Sequence, residues 1–325
     1  MTGPADGRGR RGKRRGGEQL MVPRAEFESY YGRPVVKAPS WAARDIAGYF
    51  FLGGLAGAGS VLAAGAHLTG RTTLATGMKA SSLVAVSLSA AALVNDLGRP
   101  SRFPNMLRVL KPTSPMSVGS WVLAAYGPAA GVAALTAVTG RLPRTGTAAT
   151  AGAALLGPVV ATYTAVLAAD TAVPAWHGAH RELPYLFAAS ATAAAAGMAL
   201  VVAPAGESAP ARSAALFAAA AEQLVSDRME RRLGMVAETL REGRAGTLLR
   251  AARLLTAMGA AGAVCGALLP RRTARPVAAA SGVALLAGSA CTRFGVFAAG
   301  VASAEDPRYT VAPQREALRV RQGSP

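Results

Sequence analysis

Eight stretches of 15 to 23 apolar residues interrupt this sequence, and nearly all of its charge lies between them. The stretches are Ile46–Ala66, Met78–Val94, Val118–Thr139, Thr147–Ala169, Leu183–Ala203, Ala211–Val225, Leu254–Leu269 and Val277–Ala299. A run of about 20 apolar residues crosses the hydrocarbon core of a bilayer as a helix. Only helices and closed barrels satisfy their backbone there. The pattern therefore predicts an all-α, polytopic membrane bundle of about eight helices, the sixth and seventh stretches being the shortest. Ala and Gly dominate the stretches, which favours close helix packing in lipid. Gly53 with Gly57, and Gly262 with Gly266, stand at small-xxx-small spacing.

The net charge of +18 would suggest nucleic acid in a soluble protein. Here the cations flank apolar spans, so the positive-inside rule is the better account and no nucleic-acid partner is expected. With the amino terminus in the cytoplasm and each cation assigned to its nearer side, 27 of the 35 Lys and Arg fall inside and 8 outside. Both termini are thus expected in the cytoplasm and the chain in the plasma membrane. The expected organisation is a disordered basic tail (1–23), an ordered pre-membrane segment (24–44), five spans (45–203), three more spans (204–299) and a tail (300–325). An amphipathic surface segment near 228–245 is expected between the sixth and seventh spans, with Met229, Leu233, Val236 and Leu240 on one face. The Arg-rich start has no apolar core of a secretory or twin-arginine signal, and Met21 is an alternative first residue.

The sequence offers few ligands for a prosthetic group. Two cysteines, Cys265 and Cys291, cannot supply the four ligands of an iron–sulfur cluster. They read more naturally as buried free thiols than as a disulfide. Three histidines, His67, His177 and His180, are not placed for an axial haem pair. WHGAH resembles a metal pair but has no acidic partner at standard spacing. No haem, iron–sulfur cluster or metal is expected in this chain.

Charge at membrane depth marks functional sites. Asp45 opens the first span with Tyr49 one turn on, Asn95 and Asp96 close the second, and Asp170 closes the fourth with Tyr163 about two turns deeper. All lie on one side in an alternating topology, so Asp45, Asp96, Arg99 and Asp170 can converge on one mouth with the tyrosines further in. Clustered carboxylates are suited to proton exchange. A tyrosine hydroxyl in an apolar slot suits a quinone carbonyl, or simply a neighbouring helix. Glu222 and Asp227 are either proton-path groups or marks of a helix leaving the membrane.

Four stretches in order carry a resemblance: YFFLGGLAGAGS (Tyr49–Ser60), DLGRPSRFPNMLRVLKPTSPMSVGSW (Asp96–Trp121), GPVVATYTAVLAADTAVPAWHGAHRELPYLF (Gly157–Phe187) and RFGVFAAGVASAEDPRYTVAPQR (Arg293–Arg315). With these the chain resembles the NrfD/PsrC family, the integral membrane subunits of polysulfide-reductase-like complexes, from about Met21 to Arg319. The resemblance implies eight helices without cofactors of their own and a quinone, here taken as menaquinone, bound among the first four. It implies a ferredoxin-like iron–sulfur partner serving a molybdopterin catalytic subunit. Tyr163 is similar to the family's quinone-site tyrosine. The family's polar pair in the first helix falls near Ile46 and Tyr49, where this sequence has neither His nor Asn. The loop carrying Arg99, Arg102, Arg108 and Lys111 becomes a docking surface for the acidic partner, and Asp96, Asp170 and Asp45 become proton-exchange groups. The best-known relatives face the periplasm, whereas the charge count here turns the mouth to the cytoplasm. A proton-conducting transporter and a purely structural anchor are the alternatives.

Overall fold

Most of the apolar stretches lie within longer helices, because polar turns at their ends continue the same backbone bonding; the fifth instead coincides with its helix to within a residue, and the seventh runs past the end of its helix. The computed structural model describes residues 36–313 apart from 38, 40, 98 and 99, and contains no strand among them. The basic tail and most of the pre-membrane segment lie outside the described residues. The long helices are α1 (Ala43–Leu68), α2 (Thr72–Asp96), α3 (Pro115–Thr139) and α4 (Pro143–Ala169). A short α5 (Pro174–Gly178) leads into α6 (Leu183–Val202) and α7 (Ala209–Leu233). A one-turn α8 (Glu238–Arg241) then precedes α9 (Gly243–Cys265) and α10 (Arg271–Glu305).

Short links make sequential helices antiparallel neighbours. The helices α1 to α4 form one group, with α1 against α2 and α4, and α3 against α4. A second group joins α6, α7, α9 and α10, and α6 packs against α1 and α4 to unite the two. One end of the bundle therefore carries the start of α1, the ends of α2 and α4, and the ends of α7 and α10.

The interior of this bundle is small and its exterior large. Alanines fill the buried positions of α6 and α7, while Leu88, Leu135, Leu155, Phe217, Leu224 and Met258 are exposed. Water would penalise so much exposed apolar surface. Lipid does not, and small interior residues let helices approach. At the α1–α4 crossing a Cβ on Gly57 would overlap the Gly157 carbonyl oxygen, and a Cβ on Gly157 would overlap that of Gly57. Gly53 faces Ser89 of α2, and Gly262 and Gly266 face α10.

Among the described residues, seven helices are long and apolar enough to cross a membrane. The chain is a multi-pass membrane protein. The sixth stretch does form a helix, α7, but Glu222, Asp227, Arg228, Glu230, Arg231 and Arg232 make it too polar to meet that criterion. The segment beyond it is not one surface helix. It runs through the end of α7, a 3₁₀ turn (Gly234–Ala237) and α8. Its apolar face turns inward: Met229, Val236 and Leu240 are buried against the rest of the chain. Tyr309, in the expected C-terminal tail, packs with Val236 and Ala175. Both cysteines are free, Cys265 exposed and Cys291 half-buried, so Cys265 is not the buried thiol expected.

Candidate functional site

The helix α1 begins without a side-chain cap of its own. Its cap comes from α2. The Ala42 amide donates to Asp96 Oδ1 at 3.1 Å, and Asn95 Nδ2 donates to Asp45 Oδ2 at 2.9 Å. Asp45 in the first turn also suits the positive end of the α1 dipole. These two bonds fasten the start of α1 to the end of α2. Asp45, Asn95 and Asp96 thus hold two helix ends together, the two carboxylates as acceptors and Asn95 as a donor.

Asp170 occupies the C-cap position of α4 and is exposed. Among the described residues, no hydrogen bond or ion pair joins it to Asp45 or Asp96. Arg99 lies outside the described residues. Arg102 falls within a 3₁₀ helix (Pro100–Leu107), and its side chain is outside the description. Arg108 and Lys111 are exposed beside exposed Val109 and Leu110. Ser117 Oγ donates to the Val109 carbonyl at 3.0 Å and accepts from the Lys111 amide at 2.9 Å, which ties this cationic loop to the start of α3.

Deeper in the same end, Tyr49 of α1 and Tyr163 of α4 are both buried. Their rings meet edge to face, with centroids 6.3 Å apart. Gly119 of α3 makes room for this pair: a Cβ there would overlap the Tyr163 ring. Ser89 Oγ of α2 donates to the Tyr49 carbonyl at 3.1 Å. All four helices of the first group thus contribute to one aromatic slot. The Tyr163 hydroxyl is enclosed and, among the described residues, has no hydrogen-bond partner. An unmade bond of this kind costs about 1–3 kcal/mol. A carbonyl-bearing ligand would relieve it. A cavity of about 500 Å³ between α1, α4, α6 and α7 is lined by Ala161 and Thr162 but by neither tyrosine. The unpaired hydroxyl, rather than volume, is what marks the slot.

WHGAH has a structural role. Trp176 is buried, stacks on Trp41 with ring centroids 5.7 Å apart, and donates from Nε1 to the Val296 carbonyl at 2.8 Å. His177 Nδ1 lies 3.1 Å from the Ala169 carbonyl oxygen. Among the described residues no group of His, Cys, Asp and Glu is arranged to hold a metal.

Two polar clusters lie away from the expected mouth, and among their members only Glu222 is singled out from the sequence. In the second helix group, Arg293 of α10 is wholly buried, lies over the Phe187 ring at 3.8 Å and donates from Nη2 to the Phe187 carbonyl at 2.6 Å. Its Nε and Nη1 have no partner among the described residues. Glu222 of α7 is buried too: one oxygen accepts from Thr292 Oγ1 and the other is unpaired, as is Thr256 Oγ1. The signal was available, since Arg293 stands inside an apolar run. The second cluster left no sequence signal. Arg232, near the end of α7, donates to both oxygens of buried Glu182, at 2.7 and 2.5 Å, and to the Gly178 carbonyl at 2.5 Å. Burial pushes the Glu182 carboxyl up, but the hydrogen bonds and charge of Arg232 outweigh it and hold the group below its ordinary value.

Among curated proteins no match to the sequence is found. The family described as "Polysulphide reductase, NrfD" matches residues 39–217. That span is more than half of the chain and includes α1 to α6, with Asp45, Asp96, Tyr49, Gly119 and Tyr163. With a match over that share of its length, the chain belongs to the polysulphide reductase NrfD family of membrane subunits.

Proposed function

We propose that this chain is the quinone-reactive membrane subunit of a multi-subunit molybdopterin and iron–sulfur oxidoreductase in the plasma membrane, with both termini in the cytoplasm. It passes electrons between an iron–sulfur partner and the menaquinone pool, with proton exchange at the same end of the bundle. The observation that carries this reading is the enclosed, unpartnered Tyr163 hydroxyl in a slot built by α1 to α4. A bound quinone supplies two-electron, two-proton chemistry. Tyr163 donates a hydrogen bond to its carbonyl, and Tyr49 bounds the head group edge-on. Gly119 keeps the tyrosine ring seated. Asp45 and Asp96, a turn or more toward the polar end, exchange protons with solvent. The loop with Arg99, Arg102, Arg108 and Lys111 presents cations to an acidic, ferredoxin-like partner, and Asp170 lies exposed at that end.

The test is Tyr163→Phe in the complex purified with its partners. Losing one hydrogen bond should weaken a menaquinone analogue roughly tenfold while assembly is unchanged. Equal affinity and turnover in the variant would remove the tyrosine from the site. Full electron transfer to the physiological acceptor by complexes stripped of quinone would favour the structural anchor instead.

A second reading, proton conduction through the other helix group, is favoured by buried Glu222 and Arg293. Intramembrane charges of this kind are a recurrent feature of proton relays. Proteoliposomes decide it: proton flux without an electron donor, abolished by Glu222→Gln, is the expected result of that reading.

A further inference from the structure

A lysine lies buried in the second turn of α2. Lys79 is 6% exposed, and among the described residues it has neither a carboxylate within ion-pair distance nor a hydrogen-bond partner. A charge in a membrane-spanning helix without compensation is costly. Lys79 instead lines a cavity of about 270 Å³ at the end of the bundle opposite Asp45. The ends of α1 and α3 and the starts of α2 and α4 enclose it. His67, Thr72, Thr76, Thr136 and Thr147 complete the polar lining. His67 Nε2 lies 3.1 Å from Thr147 Oγ1, so the imidazole and a hydroxyl are already held in register. No carboxylate lines the cavity. Glu207, in the α6–α7 turn at this end, is not part of that lining and accepts from the Leu74 amide in the first turn of α2 at 2.6 Å.

Thr136 and Thr147 already donate to the Val132 and Pro143 carbonyls of their own helices, but one ammonium and the hydroxyls of Thr72 and Thr76, with no carboxylate in the lining, select an anion with several acceptor oxygens. The cavity is below the size of most small-molecule pockets. Its surroundings indicate the source: Leu68, Val138 and Leu142 stand exposed at the same helix ends, where acyl chains would lie. We propose that this cavity binds the phosphate group of an anionic membrane lipid, with Lys79 as its charged anchor and the hydroxyls of Thr72 and Thr76 as hydrogen-bond donors. Basic pockets between spanning helices hold lipid head groups by the same chemistry. The site is separate from the tyrosine slot and does not depend on the proposed quinone activity.

The experiment uses the full chain in detergent after delipidation. Phosphatidylglycerol, phosphatidylcholine and inorganic phosphate are added separately, and binding is followed by native mass spectrometry and by the thermal unfolding midpoint. Phosphatidylglycerol should be retained and raise the midpoint. Lys79→Gln should lose about tenfold or more of that affinity, while the exposed opposite-end control Arg244→Gln keeps it. If Lys79→Gln does not fold, Lys79→Arg should keep the lipid and Thr76→Val should weaken it. Equal lipid retention by wild type and by Lys79→Gln or Thr76→Val overturns the site. A Lys79-dependent shift with inorganic phosphate but none with phosphatidylglycerol overturns the lipid assignment in favour of a soluble anion.

Discussion

Single residues do unequal work in this chain. Tyr163 and Glu182 are both buried polar groups, yet one lacks a partner and the other has three hydrogen bonds from a single arginine to itself and its neighbouring turn. Replacing Glu182 by Gln should therefore destabilise the chain by about 1.5–3 kcal/mol, since hydrogen bonds to charged groups contribute on that order. Its carboxyl is held below the ordinary value, so its stabilisation is present above the ordinary carboxylate range and lost as pH falls through the lowered folded value. Thermal unfolding in detergent across acidic pH would check this: Glu182→Gln should flatten the acid limb of the wild-type profile. Gly119→Val should act the opposite way from a lost bond. Its side chain would occupy the place of the Tyr163 ring, costing about 1–3 kcal/mol by overpacking and weakening quinone binding together. Lys79, Glu222 and Arg293 are each readable as charges inside apolar runs. The sequence contains no sign of whether such a charge meets a partner, a cavity or nothing, because those neighbours come from other helices.

At the scale of elements, hydropathy located every long helix but not its ends. The helix α3 starts at Pro115, ahead of the apolar stretch at Val118, because Ser114 caps it and proline suits the first helical position. The helix α10 extends from Arg271 to Glu305, well past Val277–Ala299, because helical bonding continues through polar turns. The stretch after α7 misled for a different reason. A 3.6-residue apolar stripe marks a buried face but does not say whether lipid or protein covers it, and Met229, Val236 and Leu240 are covered by protein. The Gly57–Gly157 crossing sets how closely α1 and α4 can approach, and so how tightly Tyr49 and Tyr163 pack. Gly57→Leu should force these helices apart, lower the unfolding midpoint, and weaken quinone binding without altering any polar group. A variant as stable and as tight-binding as wild type would show that the crossing does not shape the slot.

Across the whole molecule, one end concentrates the capped α1–α2 junction, exposed Asp170, the Arg108–Lys111 loop and the Glu182–Arg232 pair. If that end receives the iron–sulfur partner, Arg108→Glu with Lys111→Glu should slow association, and the remaining rate should depend less on ionic strength, because surface charges steer encounter more than they hold the complex. Association kinetics with the purified partner at two salt concentrations would measure both effects. Composition and the spacing of apolar blocks were enough to determine an all-α membrane bundle, its approximate spans and the end at which Asp45, Asp96 and Asp170 would lie, because burial in lipid depends on local apolarity alone. Only the tertiary structure decided that Asp96 caps α1, that Tyr163 rests on Gly119 with its hydroxyl unpaired, and that Lys79 opens into a cavity. Those outcomes are contacts between helices distant along the chain, and small-residue packing lets many helix rotations satisfy the same hydropathy pattern until the bundle selects one.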